Sequence, residues 1–193
     1  VRMDVARLNT LGPSTYLPLD EIGISPDIFP VRLIQPAYNN YSMVNDTRYT
    51  LPLDPSVQVF LYRKDLFENA TLCRAYYERY REALAVPETI EQFLHVAEFF
   101  TAHYNPDSPT RYGTTLTTGS SFFAASDFLP YFMADHYDTF CSGQPIRLNT
   151  PEMIQAMEKY QKMARFAAHE NTWTDSIQQF AAGNVASVTI YSN

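Results

Sequence analysis

The stretch Tyr49–Phe67 reads YTLPLDPSVQVFLYRKDLF. Two apolar pieces, Thr50–Leu53 and Val57–Tyr62, enclose a short turn, Asp54-Pro55-Ser56. In the second piece Val57, Val59 and Leu61 alternate with Gln58, Phe60 and Tyr62, so both sides of the extended chain are mostly apolar. A run of this kind, rich in β-branched and aromatic residues, suits a strand covered on both faces. A helix opens directly after it at Lys64 and runs to about Asn69. The turn carries a carboxylate and a hydroxyl, and Gln58 follows two positions on. These residues have two readings: they shape a bend, or they face a ligand.

Outward from this stretch, strands and helices alternate. Towards the N-terminus, Val1–Leu8 reads as a strand followed by a turn, and residues 26–44 as an irregular helical stretch broken by Pro30 and Pro36. Towards the C-terminus, Leu72–Ala85 is helical and dense in Tyr and Arg. Pro87-Glu88-Thr89 opens a further helix, where Thr89 with Gln92 forms a capping box and Ile90, Phe93, Leu94, Ala97 and Phe100 fall on one face. Tyr112–Leu116 reads as a short strand, and Phe122–Ala134 as a buried helix interrupted by Pro130. Thr150-Pro151-Glu152 starts another helix, with an inner stripe of Met153, Met157, Tyr160, Ala164 and Ala167. Thr174-Asp175 begins a shorter one, with Ile177, Phe180 and Ala181 inward. The last strand is Val185–Tyr191. Helices long enough to cross over a parallel sheet predict an α/β fold layered helix–sheet–helix. Both edges read as a segment cut from a longer protein, so the lack of a leader says nothing about where that protein resides.

Composition narrows the function classes. Hydrophobic residues make up 46% and charged residues 18% of the 193, which fits a folded globular chain. The net charge of −7, with no basic cluster beyond Arg63-Lys64, argues against a nucleic-acid partner for this segment. No run reaches the ~20 apolar residues of a membrane helix. Cys73 and Cys141 allow one bridge or two free thiols, and neither a disulfide framework nor a zinc site.

Motifs for catalysis and cofactors are missing. No glycine-rich phosphate loop, HExxH set or GxSxG elbow occurs, so no cofactor, metal or catalytic residue is assigned. His95 reads as a part-buried or surface histidine. Asp127 and Asp135 read as solvated carboxylates rather than a glycosidase pair. What remains is a polar and aromatic set at strand and helix ends: Asp54, Ser56, Gln58, Ser120, Ser121, Phe122, Trp173, Tyr191 and Ser192. Open α/β sheets bind ligands at the carboxyl ends of their strands. Short hydrogen-bonding side chains beside flat aromatic faces suit an uncharged polyol. The alternative is that Asp54 and Ser56 only shape a turn and that Trp173 anchors a core.

Six pieces, in order along the chain, resemble the family 1 extracellular solute-binding proteins of ABC importers, relatives of maltose-binding protein. They are YTLPLDPSVQVFLYRKDLF, PETIEQFLHVAEFFT (Ile90 standing where Trp is usual), TRYGTTL, SDFLPYFMADHYDTF (His136-Tyr137 in place of a Gly-Gly turn), NTPEMIQAMEKYQKM and NTWTDSIQQFAAGNVASVTIYSN. The resemblance implies a type II periplasmic-binding fold, two α/β lobes closing on a hinge. Residues 1–50 would be a first-lobe segment and hinge lead-in, and residues 51–193 the second lobe. It implies an extracytoplasmic, non-enzymatic receptor that binds a sugar or oligosaccharide at the residues just named and hands it to a membrane ABC permease. Tyr191 stands where relatives carry a stacking aromatic. The runner-up function is the sensing module of a sugar-responsive regulator with the same fold.

Overall fold

The structure, a computed structural model, describes residues 5–24, 37–52, 56–140 and 147–192. It divides into two compact units, one of residues up to Val57 and one of Gln58–Ser192.

In the first unit, helix α1 (Val5–Thr15) is followed by a 3-10 turn (Asp20–Ile22), a helical turn α2 (Ala37–Asn40) and a hairpin of β1 (Met43–Val44) and β2 (Thr47–Arg48). The strand expected at Val1–Leu8 is a helix from Val5 onward. Leu8 is buried and packs against Gly12 one turn later, so burial follows the helical period rather than the alternation of a strand. Residues 26–36 of the expected helical stretch lie outside the described residues. Its end, Met43–Val44, is a strand. The cause is Asn45-Asp46, both at positive φ, which make the tight turn that pairs Val44 with Thr47.

The second unit is α/β. Its elements are β3 (Gln58–Tyr62), α3 (Lys64–Phe67), α4 (Ala70–Tyr80), α5 (Ile90–Phe99), β4 (Thr114–Thr117), α6 (Ser121–Phe140), α7 (Pro151–Ala164), β5 (Ala167–Glu170), α8 (Trp173–Ala181) and β6 (Ser187–Tyr191). Strand β3 runs antiparallel to β6, with Gln58 opposite Tyr191, and β4 runs parallel to β5. A parallel bridge between Tyr112 and Val185 joins the two pairs, with the Ser187 N–H donating to the Gly113 carbonyl at 3.0 Å. The strand order is therefore β3-β6-β4-β5. Helices cover both faces. Leu116 packs with Leu94 of α5 and Tyr131 of α6. The next residue, Thr117, points the other way, and its hydroxyl meets Ser176 of α8 at 3.1 Å. Among the described residues no helix is long and apolar enough to cross a membrane.

Several expectations shift. Strand β5 was not expected, and α7 ends before it. Of the expected inner stripe, Met153 and Ala167 are buried and Tyr160 and Ala164 pack against the same core, while Met157 is 52% exposed; Ala156 and Met163 are buried as well. Met157 falls outside because Ala156 and Met163 join Met153 in the cluster that α7 shares with α5 and α6. In α8 the deeply buried residue is Ser176, and Ala181 is exposed. Helix α6 continues through Pro130 and through His136-Tyr137 to Phe140.

The caps behave as expected. Thr89 and Gln92 form the predicted box, and Thr150 caps α7. Helix α8 starts one residue earlier than expected, on a second box between Thr172 and Asp175. Thr172→Ala should cost about 1 kcal/mol of unfolding free energy in urea. A loss within experimental error would show that this box contributes nothing.

Candidate functional site

Parallel strands β4, β5 and β6 end at one edge of the sheet, and antiparallel β3 begins there. The loops leaving β4 and β5 touch. Thr118 N–H donates to the Glu170 carbonyl at 2.8 Å, and a Cβ on Gly119 would fall 2.3 Å from the Asn171 carbonyl oxygen. Only glycine permits this approach. It brings the first turn of α6 beside the first turn of α8.

Four aromatic rings meet at this edge. Phe123 lies edge-on to Trp173 at 4.8 Å between centroids, Phe122 is 6.0 Å from Trp173, and Tyr191 is tilted against Trp173 at 4.6 Å. Phe122 is 53% exposed, while Phe123, Trp173 and Tyr191 are half-buried. Of the residues singled out from sequence, Phe122, Trp173 and Tyr191 come together, and Gln58 sits across the strand pair from Tyr191. Ser120 and Ser121 stand at the start of α6, where the Ser120 hydroxyl accepts weakly from the Phe123 N–H at 3.4 Å. Ser192 is exposed. Ser56 is half-buried and belongs to the first unit. Asp54 lies outside the described residues.

Gln58 has a structural partner. Pro130 has no N–H, so the Ser126 carbonyl four residues earlier loses its helical donor. The Gln58 amide supplies one instead, at 3.3 Å. This bond ties the start of β3 to α6 and lets the helix pass through the proline.

Two residues of this region escaped sequence reasoning. Phe123 completes the aromatic group. Asp127, one turn further along α6, is only 9% exposed rather than solvated. Its carboxylate accepts the Thr117 N–H at 2.5 Å. Burial pushes its pKa up to about 6, against hydrogen bonding from Thr117 and from the Trp173 side chain. The Trp173 indole N–H favours the charged carboxylate from nearby, yet makes no hydrogen bond of ordinary geometry among the described residues. The spacing of Phe123 and Asp127, four apart on one helix face, is the signal that links them.

The other singled-out groups are accounted for. Asp135 is ion-paired with Lys159 at 2.8 Å. His95 Nδ1 lies 2.9 Å from Glu82, which also accepts the Tyr76 hydroxyl at 2.6 Å. The Tyr76 hydroxyl and then His95 hold the Glu82 carboxyl below its usual range. The Cys73 thiol is free and donates to the Phe67 carbonyl; Cys141 lies outside the described residues. Among the described residues no group of His, Cys, Asp and Glu is placed to hold a metal ion.

The carboxyl ends of the parallel strands thus carry a part-exposed aromatic cluster with Ser120, Ser121 and Gln58 nearby, the place where open α/β sheets bind ligands. Comparison with known proteins bears on the fold and the family. The GacH receptor of Streptomyces glaucescens GLA.O, solved without ligand and with acarbose and an acarbose homolog, superposes with a TM-score of 0.65 over 97% of this chain, at 16% identity. At that identity the likeness speaks to the fold, and the chain spans 44% of that receptor's length. No curated protein sequence matches. The profile described as bacterial extracellular solute-binding protein matches residues 4–193, and the chain belongs to that family.

Proposed function

We propose that the protein is a carbohydrate receptor that delivers its solute to an ABC permease from outside the cytoplasm. The observation that carries this reading is the ring cluster of Phe122, Phe123, Trp173 and Tyr191 at the strand ends. Flat aromatic faces suit the C–H faces of a sugar ring, and its hydroxyls find partners in Gln58, Ser120, Ser121 and Ser192. The similarity to GacH, a receptor solved with acarbose, supports an oligosaccharide. The family match favours this reading over that of a sugar-responsive regulator. In the full-length protein, residues 1–50 belong with a first lobe and 51–193 form the second. Closure of the lobes on a hinge is favoured by the contacts that solute makes only in the closed state.

The test is isothermal titration of the full-length protein with a panel of maltooligosaccharides and acarbose. At least one should bind, and Trp173→Ala should weaken it tenfold or more with the fold intact by circular dichroism. Absence of binding across the panel, or full affinity in Trp173→Ala, would overturn the reading.

A further inference from the structure

Behind the strand ends, on the face of the sheet that carries α5 and α6, lies a cavity of about 210 Å³. Its walls are mainly apolar: Phe60, Ile90, Phe93, Leu116 and Pro130. Asp127 opens onto it, as do Gln58, Thr115, Thr189 and Tyr131. Glu88, Thr89 and Ala134, all exposed, frame its mouth. Every one of these residues belongs to the second unit.

Charge decides what such a space would take. Asp127 and Glu88 are acidic, and none of the described residues lining the cavity is Lys, Arg or His. The Asp127 carboxylate has the Thr117 N–H as a partner but no cation in the wall of this space, so a cationic ligand there would balance its charge. The rings of Phe60, Phe93 and Tyr131 also line the space, and an ammonium is stabilised over an aromatic face. The Tyr131 hydroxyl is buried and has no hydrogen-bond partner among the described residues, so an acceptor is left unused there. A polyol fits less well, because each hydroxyl turned to the Ile90, Phe93 and Leu116 wall would lose its water without a replacement.

Size sets the ligand. An apolar cavity of about 150 Å³ holds a benzene ring, and the space here has room for a ring with one short substituent. We propose that this cavity is a second binding site, adjoining the aromatic cluster through Gln58 and Asp127, for a small ring-bearing primary amine whose ammonium pairs with Asp127. The ring lies between Phe60, Ile90 and Phe93, and the amine points towards α6.

The experiment titrates the full-length protein with benzylamine and, separately, with its neutral counterpart benzyl alcohol, by ligand-observed NMR at pH 7.5. Benzylamine should bind at least tenfold more tightly. Asp127→Asn should abolish that preference and leave the two probes equal. Ala134→Trp, at the exposed mouth and away from the packed core, should exclude both. Equal binding of the probes to the unaltered protein overturns the proposal, as does no binding. A preference that survives either substitution also overturns it. Neither probe is a sugar, so the amine preference and oligosaccharide binding are read in separate titrations, and failure of one is distinguishable from failure of the other.

Discussion

Gly113→Ala should prevent the second unit from folding, or cost it more than about 4 kcal/mol. A Cβ at this position would lie 2.1 Å from the Ala97 carbonyl oxygen and 2.4 Å from the Ala97 Cα. These are backbone atoms of α5, so no side chain can rotate away. The helix itself would have to retreat by more than an ångström. It cannot do so cheaply, because Leu94 and Ala97 belong to one buried cluster while Val96 and Phe99 belong to the other. Gly113 is also a hydrogen-bonding hub. Its N–H donates to the Phe166 carbonyl and the Thr101 hydroxyl, and its carbonyl accepts from the Ser187 N–H and hydroxyl. Displacing it therefore loosens the β4–β6 junction that makes one sheet of two strand pairs. Urea unfolding of the purified variant checks this. Soluble protein within about 1 kcal/mol of the parent would mean that α5 and β4 do not approach as described.

How much of this was legible depends on where each signal resides. The start signals were local and read well: Thr89 with Gln92 and Thr150 before Pro151 needed only neighbours three residues away. Strand β5 was hidden because Ala167-Ala168-His169-Glu170 contains no β-branched or aromatic residue; it is a strand because β4 pairs with it. Sheet context there overrides propensity. The α7 stripe was legible except at Met157, which looks as apolar as Met153 although only the packing partner decides which of them is buried. At the site, Phe122, Trp173 and Tyr191 were legible because they stand at element ends. Asp127 was not. Its burial comes from Trp173 and Thr117, which are 46 positions after it and 10 before it in the chain, and a carboxylate in mid-helix carries no mark of that. Gln58 was singled out as a ligand group, and its bond to Ser126 depends on a proline 72 positions away.

Asp127 also gives the stability of the protein a pH dependence that one substitution should remove. Its carboxyl ionises near 3.8 in the unfolded chain and near 6 in the folded one, chiefly because burial disfavours the charge. Between these values the folded state holds the proton more tightly than the unfolded state. Stability from this group is therefore complete below the lower value and is lost as pH rises through the upper one. The residue is almost wholly buried, so the shift converts with little solvent screening, to roughly 2 kcal/mol between pH 4 and pH 8. Asparagine keeps the shape and can still accept the Thr117 N–H, but it does not ionise. The unfolding free energy of Asp127→Asn relative to the parent should thus climb by about 2 kcal/mol over that interval, with the steepest part between pH 4 and 6. Urea titrations of both proteins at half-unit pH steps measure it. Two parallel curves would show that the carboxyl ionises as it does in water, and that Trp173 and the sheet do not enclose it.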